Sequence, residues 1–195
     1  SDNESLLAFL ALLPGNLLGD KVALPVSATK AATDLLGAAD IGVLPTKLHS
    51  AALMDAATEP GVGFAANGEG GFILPGFVPA FDAAAAFVKM LDLLALDGRP
   101  LSVIVDSLPR VHIAHETIVT PWEQKGVVMR SLVESSKGRE TELIDGVKVH
   151  HDGGWALALP DPEDPVTHVW AEASSDADAR RLAQEYARRI RQLVR

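Results

Sequence analysis

Residues Gly154–Ala173 read GWALALPDPEDPVTHVWAEA. Trp155–Leu159 and Val166–Glu172 are apolar runs of strand length. Between them, residues 160–165 hold three prolines and three carboxylates in six positions. Proline fixes φ and cannot donate to a ladder, so this segment is a locked acidic turn between two strands. The question is why a turn should need so much negative charge.

Working outward, Asp145-Gly146 and Asp152-Gly153-Gly154 are hairpin turns. They separate strands at Glu140–Ile144, Val147–His150 and Trp155–Leu159. A strand at His112–Val119 and a helix from Pro121-Trp122 to about Ser135 come before them. The last segment, Asp176–Val194, is an amphipathic helix with Leu182, Tyr186, Ile190 and Leu193 on one stripe. Ser175 is its expected N-cap, with Asp176 and Asp178 at the positive end and arginines at the other. This half is α+β. It is expected to form a four-stranded antiparallel sheet with helices on one face.

Residues 1–108 alternate differently. Strands are expected at Lys21–Val26, Ile41–Pro45, Val62–Ala66 and Gly71–Leu74. Helices are expected at Ala28–Leu36, Leu48–Ala57 and Pro79–Leu96, the last stopped by Asp97-Gly98-Arg99-Pro100. This alternation predicts a three-layer α/β domain with mainly parallel pairing. The pattern changes at Leu108-Pro109-Arg110, which gives two domains, 1–108 and 109–195.

Leu6–Leu13 is too short to span a bilayer, and Asp2 and Glu4 stand where a signal peptide wants positive charge. It reads as a core helix ended by Pro14-Gly15. The chain opens at Ser1, not at methionine, which suits a processed chain or an excised piece. Its 195 residues carry a net charge of −9, which argues against nucleic acid and against an anionic membrane surface. With no cysteine, disulfides, thiolate metal sites and thiol nucleophiles are excluded. A cytoplasmic location fits that composition.

Most candidate constellations dissolve on inspection. Asp176-x-Asp178-x-Arg180 resembles a metal loop, but its carboxylates open a helix, where i and i+2 do not face each other. His112 and His115 are three apart on a strand and so point to opposite faces, and His150 and His151 diverge in the same way. Gly-x-Ser-x-Gly is absent. Gly68-Glu69-Gly70-Gly71 lacks the Gly-Lys-Ser/Thr of a P-loop. It reads either as a plain turn or as a loop that lets a ligand approach the backbone, with Glu69 bonding hydroxyls.

Asp145-Gly146-Val147-Lys148-Val149 and the ungapped stretch Trp155–Ala173 resemble the C-terminal half, the third and fourth domains, of the phosphoglucomutase/phosphomannomutase (α-D-phosphohexomutase) family. The likeness is looser over 1–108, where Thr46-Lys47 and the 68–72 loop are the best anchors. The resemblance implies a sugar-binding loop at Glu69, Gly70 and Gly71, of which only Glu69 clearly keeps the family's residue. It also implies a phosphate loop at 159–165, which has departed from the family pattern. Leu159 stands where the family has Arg, Asp161 for Ser, Pro162 for Gly, Glu163 for Thr and Asp164 for Glu. Pro160 is retained, and His168 replaces a later Arg. Carboxylates only accept hydrogen bonds when ionised, and each opposes a phosphate charge by about 1 kcal/mol at ~4 Å in water.

The family's phosphoserine and magnesium loops lie in its first two domains, and nothing here matches them. The resemblance therefore implies no catalytic residue and no cofactor in this chain, with magnesium expected only alongside the missing N-terminal domains. The 121–130 segment with the acidic loop looks like a divergent branch fused to a sugar-1-phosphate nucleotidyltransferase. On that reading the chain would be a non-catalytic regulatory or oligomerisation module. Hexose phosphate as a ligand and self-association into a homo-oligomer are both compatible with the sequence.

Overall fold

The computed structural model describes residues 1–194, in two compact units, Ser1–Arg110 and a second beginning at Val111. Among the described residues no helix is long and apolar enough to cross a membrane.

The first unit runs α1 (Asp2–Leu12), β1 (Lys21–Pro25), α2 (Lys30–Ala38), β2 (Gly42–Thr46), α3 (Ser50–Ala56), β3 (Val62–Ala66), β4 (Phe72–Leu74), β5 (Val78–Phe81), α4 (Ala83–Asp97) and α5 (Leu101–Ser107). The sheet order is β2-β1-β3-β4-β5. β1 pairs parallel with β2 and β3, whereas β3–β4 and β4–β5 are antiparallel. The expected parallel predominance therefore holds for only half of the pairs. The reason is local: no helix separates β3, β4 and β5, and a parallel return needs a crossover.

Two further differences lie in this region. The helix expected from Pro79 begins later, because Pro79 sits in β5, where an edge position needs no amide donor. Asp82 is the true N-cap, its Oδ1 accepting from Ala85 N at 2.8 Å. α5 was not expected at all.

The core has two faces. Phe9 of α1 meets Phe64 and Phe72 with ring centroids 5.4 and 4.5 Å away. On the other face Ala23, Val62, Ala65 and Ile73 pack with Leu53 and Ala56 of α3. α1 is a sandwiched helix, with Leu6, Leu7, Ala8, Phe9, Leu10 and Leu12 all buried. A helix apolar on every side can only sit inside a core.

The second unit runs β6 (Ile113–Val119), α6 (Trp122–Ser135), β7 (Thr141–Glu142), β8 (Val147–His151), β9 (Gly154–Pro160), β10 (Val166–Glu172) and α7 (Asp176–Leu193). Its antiparallel sheet has five strands, in the order β6-β10-β9-β8-β7, so all five strand runs of the sequence pair and the sheet has one strand more than the expected four. The fifth is short: of the 140–144 run only Thr141 and Glu142 pair, at the edge beside β8. Ile118, Val147, Val149, Ala156, Ala158, Val169 and Ala171 form one sheet face beneath Val128 and Leu132 of α6 and Ala183, Tyr186 and Ile190 of α7. The small residues let α7 lie close to the sheet. Ser175 caps α7, its Oγ accepting from Asp178 N at 3.1 Å. Gly146 is required where it stands: its φ is +68°, and a Cβ there would lie 2.2 Å from the Ala158 carbonyl oxygen.

Candidate functional site

The acidic turn joins β9 to β10. Asp161 N–H donates to Val166 O at 3.0 Å and Val166 N–H to Asp164 O at 2.8 Å, which closes the turn's neck. Lys125 supports it from α6. Its buried Nζ donates to the carbonyls of Asp161 and Asp164, both at 2.5 Å, while its ammonium lies 3.6 Å from the Trp122 ring centroid. Thr120 N–H donates to Pro165 O at 2.7 Å.

The carboxylate of Asp161 points into the turn. Its Oδ1 accepts from the amides of Glu163 and Asp164, both at 2.7 Å, and its Oδ2 lies 3.1 Å from His168 Nε2. Successive amides converging on one point make an anion-binding nest. Here a side chain of the same loop occupies that nest. The two amide hydrogen bonds, and then His168, hold the Asp161 carboxyl below the usual carboxylate range. This changes the sequence reading in one respect. Of the three carboxylates in the turn, Asp161 does not stand outward; it satisfies two of the turn's own amides. Pro162, Glu163 and Asp164 are exposed around it.

His168 continues the network across the sheet. In register it stands opposite Thr117 on β6 and Leu159 on β9. Its Nδ1 is 3.0 Å from His115 Nε2 and 3.3 Å from Thr117 Oγ1. An ionised carboxylate can only accept, so His168 Nε2 carries the proton toward Asp161. With neutral rings, Nδ1 then accepts and His115 donates, giving a one-way chain His115→His168→Asp161. The rings stack: His115 lies over His168 at 5.1 Å and over Trp170 at 4.8 Å. Burial, and then the neighbouring His168, push the His115 pKa down.

The other predicted loop lies in the first unit, between β3 and β4. Asn67 organises it: its Oδ1 accepts from Glu69 N at 3.0 Å and Gly71 N at 2.7 Å, while Asn67 N–H donates to Gly71 O at 3.0 Å. Gly70 has φ +82°, and a Cβ on Gly71 would lie 2.8 Å from the Phe81 ring. Glu69 is therefore displayed, exposed, on a tight and side-chain-locked turn. Asn67 was legible, since an Asn ahead of closely spaced glycines is a turn signal. Lys125 was not legible, because it meets its carbonyls from 36 and 39 residues away. His115 and Thr117 join the site only through strand register.

Elsewhere the carboxylates of Asp176 and Asp178 part company. Asp176 pairs with His112 Nδ1 at 2.8 Å, and Asp178 binds Ser175 Oγ and Arg181. Among the described residues no three His, Asp or Glu side chains are grouped to hold one ion.

No protein-family model matches the chain. A "Probable phosphoglucosamine mutase" of Methanopyrus kandleri is 31% identical over 177 residues, which are 89% of this chain and 39% of that protein. A phosphoglucomutase/phosphomannomutase of Thermococcus kodakarensis is 29% identical over 112 residues, 57% of this chain and 25% of that protein. Among solved structures, a phosphoglucomutase/phosphomannomutase family protein of Burkholderia thailandensis superposes with a TM-score of 0.80 at 20% identity. That match covers 98% of this chain and 41% of the other. An Aspergillus fumigatus N-acetylphosphoglucosamine mutase, solved with GlcNAc-6P and magnesium, gives 0.70 at 15% identity over 100% of this chain and 44% of its own. The chain thus spans about two fifths of the length of the first of these relatives. By sequence and fold it is related to the phosphoglucomutase/phosphomannomutase family, and its two units have the architecture of that family's C-terminal domains.

Proposed function

We propose that this chain is a phosphohexomutase-type module of hexose-phosphate metabolism whose phosphate loop is closed by its own carboxylate, so that it does not clamp a phosphate ester in its present form. The carrying observation is Asp161, which already satisfies the Glu163 and Asp164 amides and His168. A phosphate would have to displace a tethered carboxylate whose effective concentration is far above that of any free ligand. It would also meet Leu159 where the family resemblance puts an arginine. The ligand class remains a hexose phosphate, with Glu69 on its locked turn as the expected partner of sugar hydroxyls. Among the described residues no three His, Asp or Glu side chains are grouped for one ion, so no residue of this chain is assigned as a magnesium ligand. By itself the chain binds or supports and does not turn over substrate.

The test is NMR titration of the Glu163 and Asp164 amides with glucosamine 6-phosphate and mannose 1-phosphate. The wild type should show no saturable shift at millimolar ligand. Asp161→Ser with Leu159→Arg should show one, strongest at low salt, where screening is weakest. Micromolar binding by the wild-type loop would overturn the reading, and so would metal-dependent interconversion of hexose 1- and 6-phosphates that persists through repurification.

A further inference from the structure

The outward side of α4 is unusual. Its buried side is Ala86 and Leu93. The opposite arc holds Ala84, Val88, Leu91 and Ala95, all exposed, with exposed Phe87 beside it. A surface helix should present charge there. The charges of α4 lie elsewhere: Lys89 pairs with Asp92 at 2.8 Å along one flank, and Asp97 is taken by Arg99. Phe87, Val88 and Leu91 are 65%, 64% and 51% exposed, and Leu101 of α5, 43% exposed, lines the same apolar groove as Phe87. Together with the two alanines these side chains present roughly 400–500 Å² of apolar surface, as large as the patches that mark interaction sites.

We infer that this face is a homodimer interface, in which α4 pairs antiparallel with α4 of a second copy about a two-fold axis. Three observations select that occupant. First, Ala84, Val88, Leu91 and Ala95 recur at intervals of four, three and four residues, the a/d spacing of a helix that packs on another helix. Second, the seam reads small, large, large, small. An antiparallel two-fold pairing therefore sets Ala84 against Ala95 and Val88 against Leu91 of the second copy. The interface complements itself without any other sequence, which a two-fold contact requires. Third, the chain carries a net charge of −9, so two copies repel over most of their surface. The α4 seam has no charged residue and is the face on which that repulsion is least. Two such faces remove about 800–1,000 Å² from water, the size of a weak, reversible interface.

The groove between α1, α4 and α5 adds shape to the seam. It has a volume of about 480 Å³, is walled mainly by apolar side chains such as Phe9, Met90 and Leu101, and has Ser1, Glu4 and Ser5 along its α1 edge. In the antiparallel arrangement each Phe87 projects toward the partner helix on its groove side.

The experiment is sedimentation equilibrium of the chain across a micromolar to millimolar range. The wild type should be a dimer in equilibrium with monomer. Val88→Glu with Leu91→Glu should weaken association at least 100-fold with an unchanged circular dichroism spectrum, since both positions are exposed. The absence of cysteine permits a direct test of direction. Val88→Cys and Leu91→Cys chains, mixed and oxidised, should form the mixed disulfide in preference to either symmetric one. A wild type that stays monomeric at millimolar concentration overturns the inference, and the face then belongs to another segment or another protein. A dimer unaffected by the two glutamates, or one that crosslinks Val88→Cys to itself, overturns it as well.

Discussion

Replacing Lys125 by Met tests the support that α6 gives the acidic turn. Methionine keeps the unbranched stem and its packing while it removes the charge and both hydrogen bonds. Lys125, 9% exposed as a residue, brings its Nζ to the Asp161 and Asp164 carbonyls at 2.5 Å. A hydrogen bond from a charged donor contributes about 1.5–3 kcal/mol, which gives a gross loss of roughly 3–6 kcal/mol for two. Relief of lysine desolvation offsets part of this. The contact with Trp122 adds little, because that ring is 52% exposed and exposed cation–π pairs contribute about 0.5–1 kcal/mol. The expected net is a destabilisation of about 2–4 kcal/mol. The assay is urea unfolding followed by tryptophan fluorescence, with hydrogen exchange at Asp161, Glu163 and Val166. The midpoint should fall without a change in slope, and Val166, whose amide closes the turn, should exchange faster. Lys125→Arg should recover part of the loss. If Lys125→Met unfolds within about 0.5 kcal/mol of the wild type, the lysine is not a clamp, and the turn is held by Asp161 and its prolines alone.

Other outcomes follow from buried polar groups. Thr167 Oγ1 is buried on the helix-facing side of β10 without a hydrogen-bond partner, so Thr167→Val should stabilise by about 1 kcal/mol in the same urea assay; a loss of that size would reveal a partner for the hydroxyl. His151 is held neutral by burial, with Nε2 2.9 Å from Tyr186 Oη and Nδ1 3.2 Å from Arg139, which can only donate. Its folded pKa lies below the unfolded value near 6.5, so the unfolded chain binds the proton first and stability falls as pH drops below about 6.5. Unfolding midpoints at about pH 7.5 and pH 5 should therefore differ less in His151→Gln than in the wild type, and an equal difference would remove His151 from that dependence.

Much of the second unit could be read from local chemistry. Asp-Gly turns, strand-length apolar runs and a capped amphipathic helix are each decided within a few residues. The α7 cap at Ser175 and the helix-on-one-face arrangement accordingly agree with the structure. Local reading was weaker where two neighbouring signals compete. Pro79 suits a helix start as well as an edge strand, and only pairing of β5 with β4 decided for the strand. The acidic turn shows the same division. Its sequence determined that the turn is acidic and that prolines restrict its shape. Which way the Asp161 carboxylate points was decided by tertiary structure, because His168 is brought to it across the turn and Lys125 holds its backbone from α6. Side-chain direction in a loop is set by partners distant in sequence, and those partners meet only once strand register and helix packing are complete.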